Sequence, residues 1–393
     1  MQPLAHTALA ALTAASLAAA TLAGPLNPPA SAISTSMKTL AEVEPRTAIN
    51  TANTPGDADS LYRITAPGSY YLTGNLQGAA GKHGIEIAVS GVTIDLNGFT
   101  LLGAAASLDG VKVDGFRSNV SVSNGSATGW PGWGINLSSA TDARVSNVRA
   151  SANTVAGISA SSGSVITACT TRGNGAGISV TTRCSVVNCT ASDDVNSGIR
   201  VDSGSTVRDC AVWGAGTGGG AGISGDIGCT IINCSARACV SDGIRVDDSA
   251  VVQGCSVTSN GGYGVYSPRS ATVTDCCIGG NEKDGIRVKD NSLIRGNNLT
   301  YNGLAAANAA GITITGTNNR VESNNCSWND RGVEALAGGN FINKNTCRGN
   351  GTNYAIAANN ACYCVSANLS GAINGNNGGL SFGSTDPNAN FSY

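Results

Sequence analysis

The sequence predicts an all-β chain wound into a parallel β-helix. Three observations lead there. A Gly followed by Ile or Val recurs down the chain at steps of 20 to 26 residues, most often 21. Each recurrence repeats the same order of aliphatic and turn residues. The composition is 53 Gly, 14 Cys, 12% charged and 5% aromatic residues in a chain of 393. That mixture, rich in Ser, Thr, Asn, Val and Ile, suits short strands and tight turns. Helical repeats would need longer periodic runs, and leucine-rich repeats a Leu frame that is missing. The formal net charge is −2 without a Lys/Arg cluster. Nucleic acid is therefore excluded as a partner, for want of a basic field.

The N-terminus supplies the first element. Residues 8–23 are small and apolar, and Ala30–Ser31–Ala32 closes the stretch in an A-x-A pattern. This resembles a secretory signal peptide, although its start lacks Lys and Arg, so residues 1–32 are expected to be removed. No later segment has ~18 consecutive apolar residues, so no transmembrane span is expected. Residues 33–83 read as an N-terminal cap region, with a short helix around Met37–Glu44 stopped by Pro45.

The repeat follows, over residues 84–365. Its glycines are Gly84, Gly110, Gly134, Gly157, Gly177, Gly198, Gly222, Gly243, Gly264, Gly285, Gly311 and Gly332, with another copy near Ala355. That makes 12 or 13 turns. Counting from each Gly, positions +1 and +3 are aliphatic and alternate inward as in a strand. Position +9 is aliphatic again and +14 commonly so. The step from +9 to +12 needs a bend, and Asn188, Asp209, Asn233 and Asp275 occupy +11, where a turn accepts Asn or Asp. Asn174, Asn260, Asn281 and Asn302 recur at +17. Stacking buries one continuous column, so the repeat is one domain. Residues 366–393 are polar and form either a flexible tail or a C-terminal cap using Phe391 and Tyr393.

Position +12 is Cys169, Cys189, Cys210, Cys234, Cys255 and Cys276. A ladder of small inward thiols explains them, because directly stacked side chains give a poor disulfide dihedral. Cys326 with Cys347, and Cys362 or Cys364, are the better candidates for bonding. No CxxC pair exists, and the two histidines are His6 and His83. His83 reads as a solvated turn residue.

Charge is scarce, so its placement is informative. Position +2 of turns six to ten reads Arg200, Ser224, Arg245, Tyr266 and Arg287; position +4 reads Asp202, Asp226, Asp247, Pro268 and Lys289. Both columns point outward from one sheet. In earlier turns only Glu86, Lys112 and Asp114 break a run of Ser, Thr, Asn and Ala. Arg200, Tyr266 and Lys289 could bind a glycan by charge-assisted hydrogen bonds and stacking. The plain alternative is a solvated lattice of ion pairs of little energetic consequence. Trp130 and Trp133, in "GWPGWG", either wall a sugar-binding groove or fold back over strand edges. The Gly-rich loop after Trp213 could be a mobile flap.

Turns such as "GISVTTRCSVVNCTASDDVNSGIRV" resemble right-handed parallel β-helix repeats of the pectin-lyase-like superfamily. The entry "ITAPGSYYLTGNLQG" with "GIEIAVSGVTIDLNGFTLLG" is similar to the start of secreted bacterial right-handed β-helix proteins of unassigned function. The resemblance covers about residues 61 to 365 and implies architecture more than chemistry, since this fold hosts many activities. It implies a right-handed solenoid and, with Asp202, Asp226 and Asp247 about one rung apart, carboxylates near the spacings of glycosidase pairs. Stacked in this way, the aspartates could also hold Ca²⁺ through oxygen ligands. Arg245 or Arg287 would then take the C5 proton of a uronate, as in pectate lyases. The polygalacturonase-like hydrolases carry a G-H-G segment that is absent here. Two functions of different class follow. One is an exported surface or extracellular protein that binds polysaccharide or serves structurally. The other is a lyase-like enzyme acting on an acidic glycan at the Arg/Asp face.

Overall fold

In the coil that begins at Asp242, Ile244, Val246, Val252 and Val257 all point inward and are 0–1% exposed. They sit on three short strands, Ile244–Val246, Ala250–Gln253 and Ser256–Thr258. Corners separate the strands, and the next coil repeats the pattern in register, Ile244 over Val265 and Val252 over Val273. Among the described residues all strand pairings are parallel, apart from one isolated antiparallel bridge between Pro55 and Tyr62.

The computed structural model describes residues 44–303, 309–362, 364–366 and 389–392. The leader 1–32, and the helix expected around Met37–Glu44 save for Glu44 itself, lie outside them. The chain divides after Pro45, and the second unit, Arg46–Tyr393, carries the β-helix. The Gly-motif strands form one 14-stranded sheet, and the other two strand columns are counted together as a 28-stranded sheet. Among the described residues there are thus fourteen coils against the expected 12 or 13. The extra one is Ser60–Ile64, which pairs with His83–Ile87 but has Leu61 where later coils have Gly. Residues 47–77, expected in a cap region, already run as strands of the same sheets. At the other end Asn390–Ser392 returns to pair with Thr346–Cys347 and Cys364–Ser366.

The recurrent Gly has a steric cause. A Cβ on Gly264 would lie 2.5 Å from the carbonyl oxygen of Gly285 in the next coil and 2.5 Å from Ile278 Cγ2. The expected bend at +11 is left-handed backbone: Asn188, Asp209, Asn233 and Asp275 have φ of 52°, 54°, 52° and 58°. Asn and Asp tolerate that region best among residues with a side chain.

After each such corner comes a buried side chain that replaces the missing ladder bond. In one column, the Asn281 carboxamide oxygen accepts from Asn260 N (3.1 Å) and Asn260 Nδ2 (2.9 Å). Asn281 Nδ2 donates to Asn302 Oδ1 (2.8 Å) and Val257 O (3.3 Å). A second column runs Asn297, Asn324, Asn345 and Asn390. The cysteines are the same column in earlier coils: Cys276 N donates to Asn297 Oδ1 (3.0 Å), and Cys255 N donates to Cys276 Sγ (3.4 Å). The third column includes Ser292, Asn319, Asn340 and Asn360.

The ladder thiols are buried and free, as expected. Cys326 and Cys347 are not bonded as expected; both are buried and free although they are register partners. Their side chains stand parallel on the same inward face of neighbouring strands, as in the ladder. His83 is not a solvated turn residue. It is 6% exposed, lies in the strand His83–Ile87, and its Nδ1 accepts from Asp109 N at 3.0 Å.

One ladder position carries an acid. Asp194 is 0% exposed and accepts from Asn174 N (2.8 Å), Asn174 Nδ2 (3.0 Å) and Thr171 Oγ1 (3.2 Å). Burial pushes its carboxyl up to about 6, against those hydrogen bonds.

Three outcomes follow from this architecture. Asn281→Ala strands Asn260 N and leaves Asn260 Nδ2 with Ala236 O alone, and should cost about 2–3 kcal/mol, read as a lower urea midpoint. Asp194 binds its proton more tightly in the folded than in the unfolded chain. Its contribution is thus present below pH ~4 and is lost as pH rises through about 6. Asp194→Asn should abolish that loss, making the variant more stable than wild type above pH 6 by an amount on the order of 2 kcal/mol. A thiol reagent on the native protein should label Cys277, which is exposed, while the ladder thiols react only after unfolding; Cys277→Ser removes the fast reaction.

Candidate functional site

The 14-stranded sheet turns its +2 residues outward in register. Arg200, Ser224, Arg245, Tyr266, Arg287 and Thr313 form one column, each opposite the next. Ile or Val on either side of each fixes this orientation by pointing into the core. The +4 residues follow at the corner, where Asp202 N, Asp226 N and Asp247 N each donate to the previous coil at 3.1 Å. Arg200, Asp202, Ser224, Asp226, Arg245 and Asp247 thereby share one shallow depression of about 220 Å³, closed at one end by Pro268.

The charged groups are arranged in local pairs. Arg200 faces Asp202 at 3.4 Å and Arg269 faces Asp247 at 3.3 Å. Asp226 accepts from Ser203 Oγ (3.1 Å) and Ile227 N (2.9 Å). The three aspartates therefore turn to different partners. Among the described residues, only Asp57, Asp59 and Glu86 gather three ligand atoms within 4.8 Å of one another, so Asp202, Asp226 and Asp247 do not form a cation set of that kind.

Beside the depression lies a cluster that the repeat reading missed. Tyr263 stacks on Tyr266, with ring centroids 5.1 Å apart and planes 23° apart. Arg245 sits over Tyr266 at 5.1 Å; Arg287 and Lys283 sit over Tyr263 at 5.6 Å and 5.0 Å. Two buried aspartates hold the arginines: Asp284 meets Arg287 at 2.9 Å and Asp242 meets Arg245 at 3.8 Å. Each also accepts a backbone N–H from the next coil, Asp242 from Tyr263 N (2.9 Å) and Asp284 from Ala310 N (2.7 Å). Burial raises the Asp242 carboxyl, and Arg245 and Lys283 oppose that rise. The signal was visible in sequence, as "SDGIRV", "GYGVYS" and "KDGIRV". It lies at position −1, which the Gly-based count left outside the repeat.

The remaining sequence candidates lie elsewhere. Trp130 is a core residue and not part of a binding surface. It is 0% exposed, and its Nε1 donates to Leu101 O at 3.1 Å. Its ring fills the space left by Gly78, Gly84 and Gly110. Trp133 is half-buried on the strand Trp133–Leu137, three coils before Arg200. Lys289 is exposed, faces Asp290 at 3.9 Å and does not line the depression. The Gly-rich loop after Trp213 does not line it either. It is tied to Asp194 and Val195 by Gly216 N (3.1 Å) and Gly218 N (2.6 Å).

The family described as "Right handed beta helix region" matches residues 69–223, 186–272 and 219–377, and the chain belongs to it. No curated protein matches the sequence. Among solved structures the chain is similar to the A-modules of two mannuronan C-5 epimerases of Azotobacter vinelandii. One is 13% identical, covers 75% of this chain and 90% of that one, with a TM-score of 0.50. The other is 15% identical, covers 83% and 91%, with a TM-score of 0.52. The receptor-binding domain of the Siphovirus 9NA tailspike is 12% identical, covers 87% and 80%, with a TM-score of 0.43. At these identities the likeness is one of fold.

Proposed function

We propose that this member of the right-handed β-helix family is an exported protein that binds a polysaccharide on the Arg/Asp/Tyr face without cleaving it. The observation that carries this reading is the stacked pair Tyr263–Tyr266 flanked by Arg245, Arg287 and Lys283 at the edge of the depression. Aromatic rings offer apolar contact to the CH face of a sugar ring. Guanidinium and carboxylate groups alongside offer charge-assisted hydrogen bonds to its hydroxyl and acid groups. The sites repeat along the sheet at the rise of one coil, which suits a chain of sugars better than a single one.

The chemistry of the arginines favours binding over elimination. A general base must give up its own proton first, and a guanidinium is protonated at all ordinary pH. Arg245 and Arg287 are also engaged by Asp242 and Asp284 at 3.8 Å and 2.9 Å. Export is supported by the leader pattern at residues 8–32. Among the described residues, no helix is long and apolar enough to cross a membrane.

Calorimetric titration with oligouronates and with neutral oligosaccharides tests the reading. Binding should weaken at least tenfold, ~1.4 kcal/mol, in Arg245→Ala and in Tyr266→Ala. Equal binding by both variants overturns the site. A parallel assay follows unsaturated-product absorbance on uronides with and without Ca²⁺, and no product is expected. Product that disappears in Arg245→Ala would replace this reading by the lyase one.

A further inference from the structure

The first coils carry a second charged group, at the other end of the same sheet column. Arg63 stands opposite Glu86, which stands opposite Lys112. The Arg63 guanidinium meets Asp57 at 2.8 Å, Asp114 at 2.8 Å, and Glu86 in close contact. Asp59 is a fourth carboxylate there and has no ion pair among the described residues. One guanidinium thus serves three acids and leaves Asp59 without a cation. Lys82 does not make up the difference, because its Nζ is directed to the carbonyl oxygens of Asp57 (2.5 Å), Ala58 (3.3 Å) and Ser60 (3.4 Å).

Glu86 supplies the second observation. It is 2% exposed, and its Oε2 is buried with no hydrogen-bond partner. A buried anionic oxygen without a donor is costly, and native structures rarely leave one so. Carboxylate oxygens of Asp57, Asp59 and Glu86 lie within 4.8 Å of one another. Asp57 is fixed in place, since its Oδ1 accepts from Asp59 N (3.2 Å), Ser60 N (3.0 Å) and Ser60 Oγ (2.7 Å).

We propose that Asp57, Asp59 and Glu86 bind one hard divalent cation, and that Ca²⁺ is the ion that fits. Ca²⁺ takes oxygen ligands at ~2.3–2.6 Å, so two ligands across one ion can be ~4.6–5.2 Å apart. Mg²⁺, at ~2.0–2.1 Å, would need a tighter set. No His or Cys belongs to the group, which leaves zinc and the softer metals without their preferred donors. The ion would join the loop 57–60 to Glu86 one coil further on. It would thus tie the loop to the second strand of the 14-stranded sheet, beside the first, where an open edge would otherwise meet other chains.

The test uses the full chain with Ca²⁺ as the probe, after EDTA treatment and dialysis. Calorimetric titration and the thermal midpoint should both report binding in the wild type, with Mg²⁺ at least tenfold weaker. Asp59→Asn and Glu86→Gln should each lose tenfold or more in Ca²⁺ affinity. Asp59 is exposed, so that variant should keep the far-ultraviolet spectrum and apo midpoint of the wild type. A double variant Asp226→Asn with Asp247→Asn should bind Ca²⁺ unchanged. The proposal is overturned by absent heat and midpoint shift at millimolar Ca²⁺, or by full binding in Asp59→Asn. Loss of binding in the double variant alone would move the ion to the sheet face and overturn it too. No glycan enters the assay, so its outcome is independent of the polysaccharide reading.

Discussion

Every coil of this protein turns corners, and the rest of the structure depends on what happens to the backbone there. Strand ladders satisfy the N–H groups along the sheets, but a left-handed residue at a corner lifts its successor out of the ladder. The N–H that follows is buried and would be orphaned at a cost of about 1–3 kcal/mol. Columns of Asn, Ser and Cys restore the partner, one rung per coil. Asn does most because its carboxamide can accept from the coil behind while donating to the coil ahead, as Asn281 does between Asn260 and Asn302. Cysteine fills the rung more weakly, through Sγ as acceptor, and adds apolar volume to the core. Asp194 fills it as an acid, which ties that coil to pH.

Because the inward positions are committed to this task, chemistry can reside only on outward positions and at corners. The fold offers those positions in straight columns with a fixed rise. Many are filled with Ser, Thr and Asn, and along the column of the 14-stranded sheet charge gathers in the first coils and the middle coils, with Glu334 paired to Arg331 near the far end. In the middle coils, cations and stacked tyrosines are spread along the sheet beside a shallow depression. In the first coils, acids crowd around Arg63. The first arrangement offers many weak contacts along a line, and the second converges on a point. A polymer suits the former and a small ion the latter.

The buried aspartates at position −1 connect scaffold and surface. Asp242 and Asp284 each use one oxygen for a backbone N–H of the next coil and the other for an arginine on the sheet face. Asp109 uses the same device near the N-terminal end, accepting from Trp133 N with one oxygen and Asn136 Nδ2 with the other. A corner residue thereby decides how far an outward side chain can move. Where Tyr263 takes the same position, the space goes to an aromatic ring instead, and the neighbouring cations gather over it.

The architecture was legible in the sequence because a stacked coil repeats its constraints. Gly264 cannot carry a Cβ, Val252 must face the core, and Asn233 must bend left-handed, so each leaves the same residue type at the same offset. The outward column of Arg200, Arg245 and Arg287 followed from alternation alone, and the register bears it out. What escaped was whatever depends on a neighbour in the next coil. Ser60–Ile64 carries Leu61 where later coils have Gly, so the motif does not mark it. Trp130 had no sequence mark of its burial, since the glycines that make room for it lie up to 52 residues away in Gly78, Gly84 and Gly110. Asp57, Asp59, Arg63, Glu86 and Asp114 share no motif, and only the stacking of three coils brings them together. The sequence by itself determined the coil and its period, because every coil meets the same constraint from its neighbour and answers it with the same residue type. Tertiary structure alone decided which charges meet, because side-chain contact across coils depends on register and rotamer rather than on spacing.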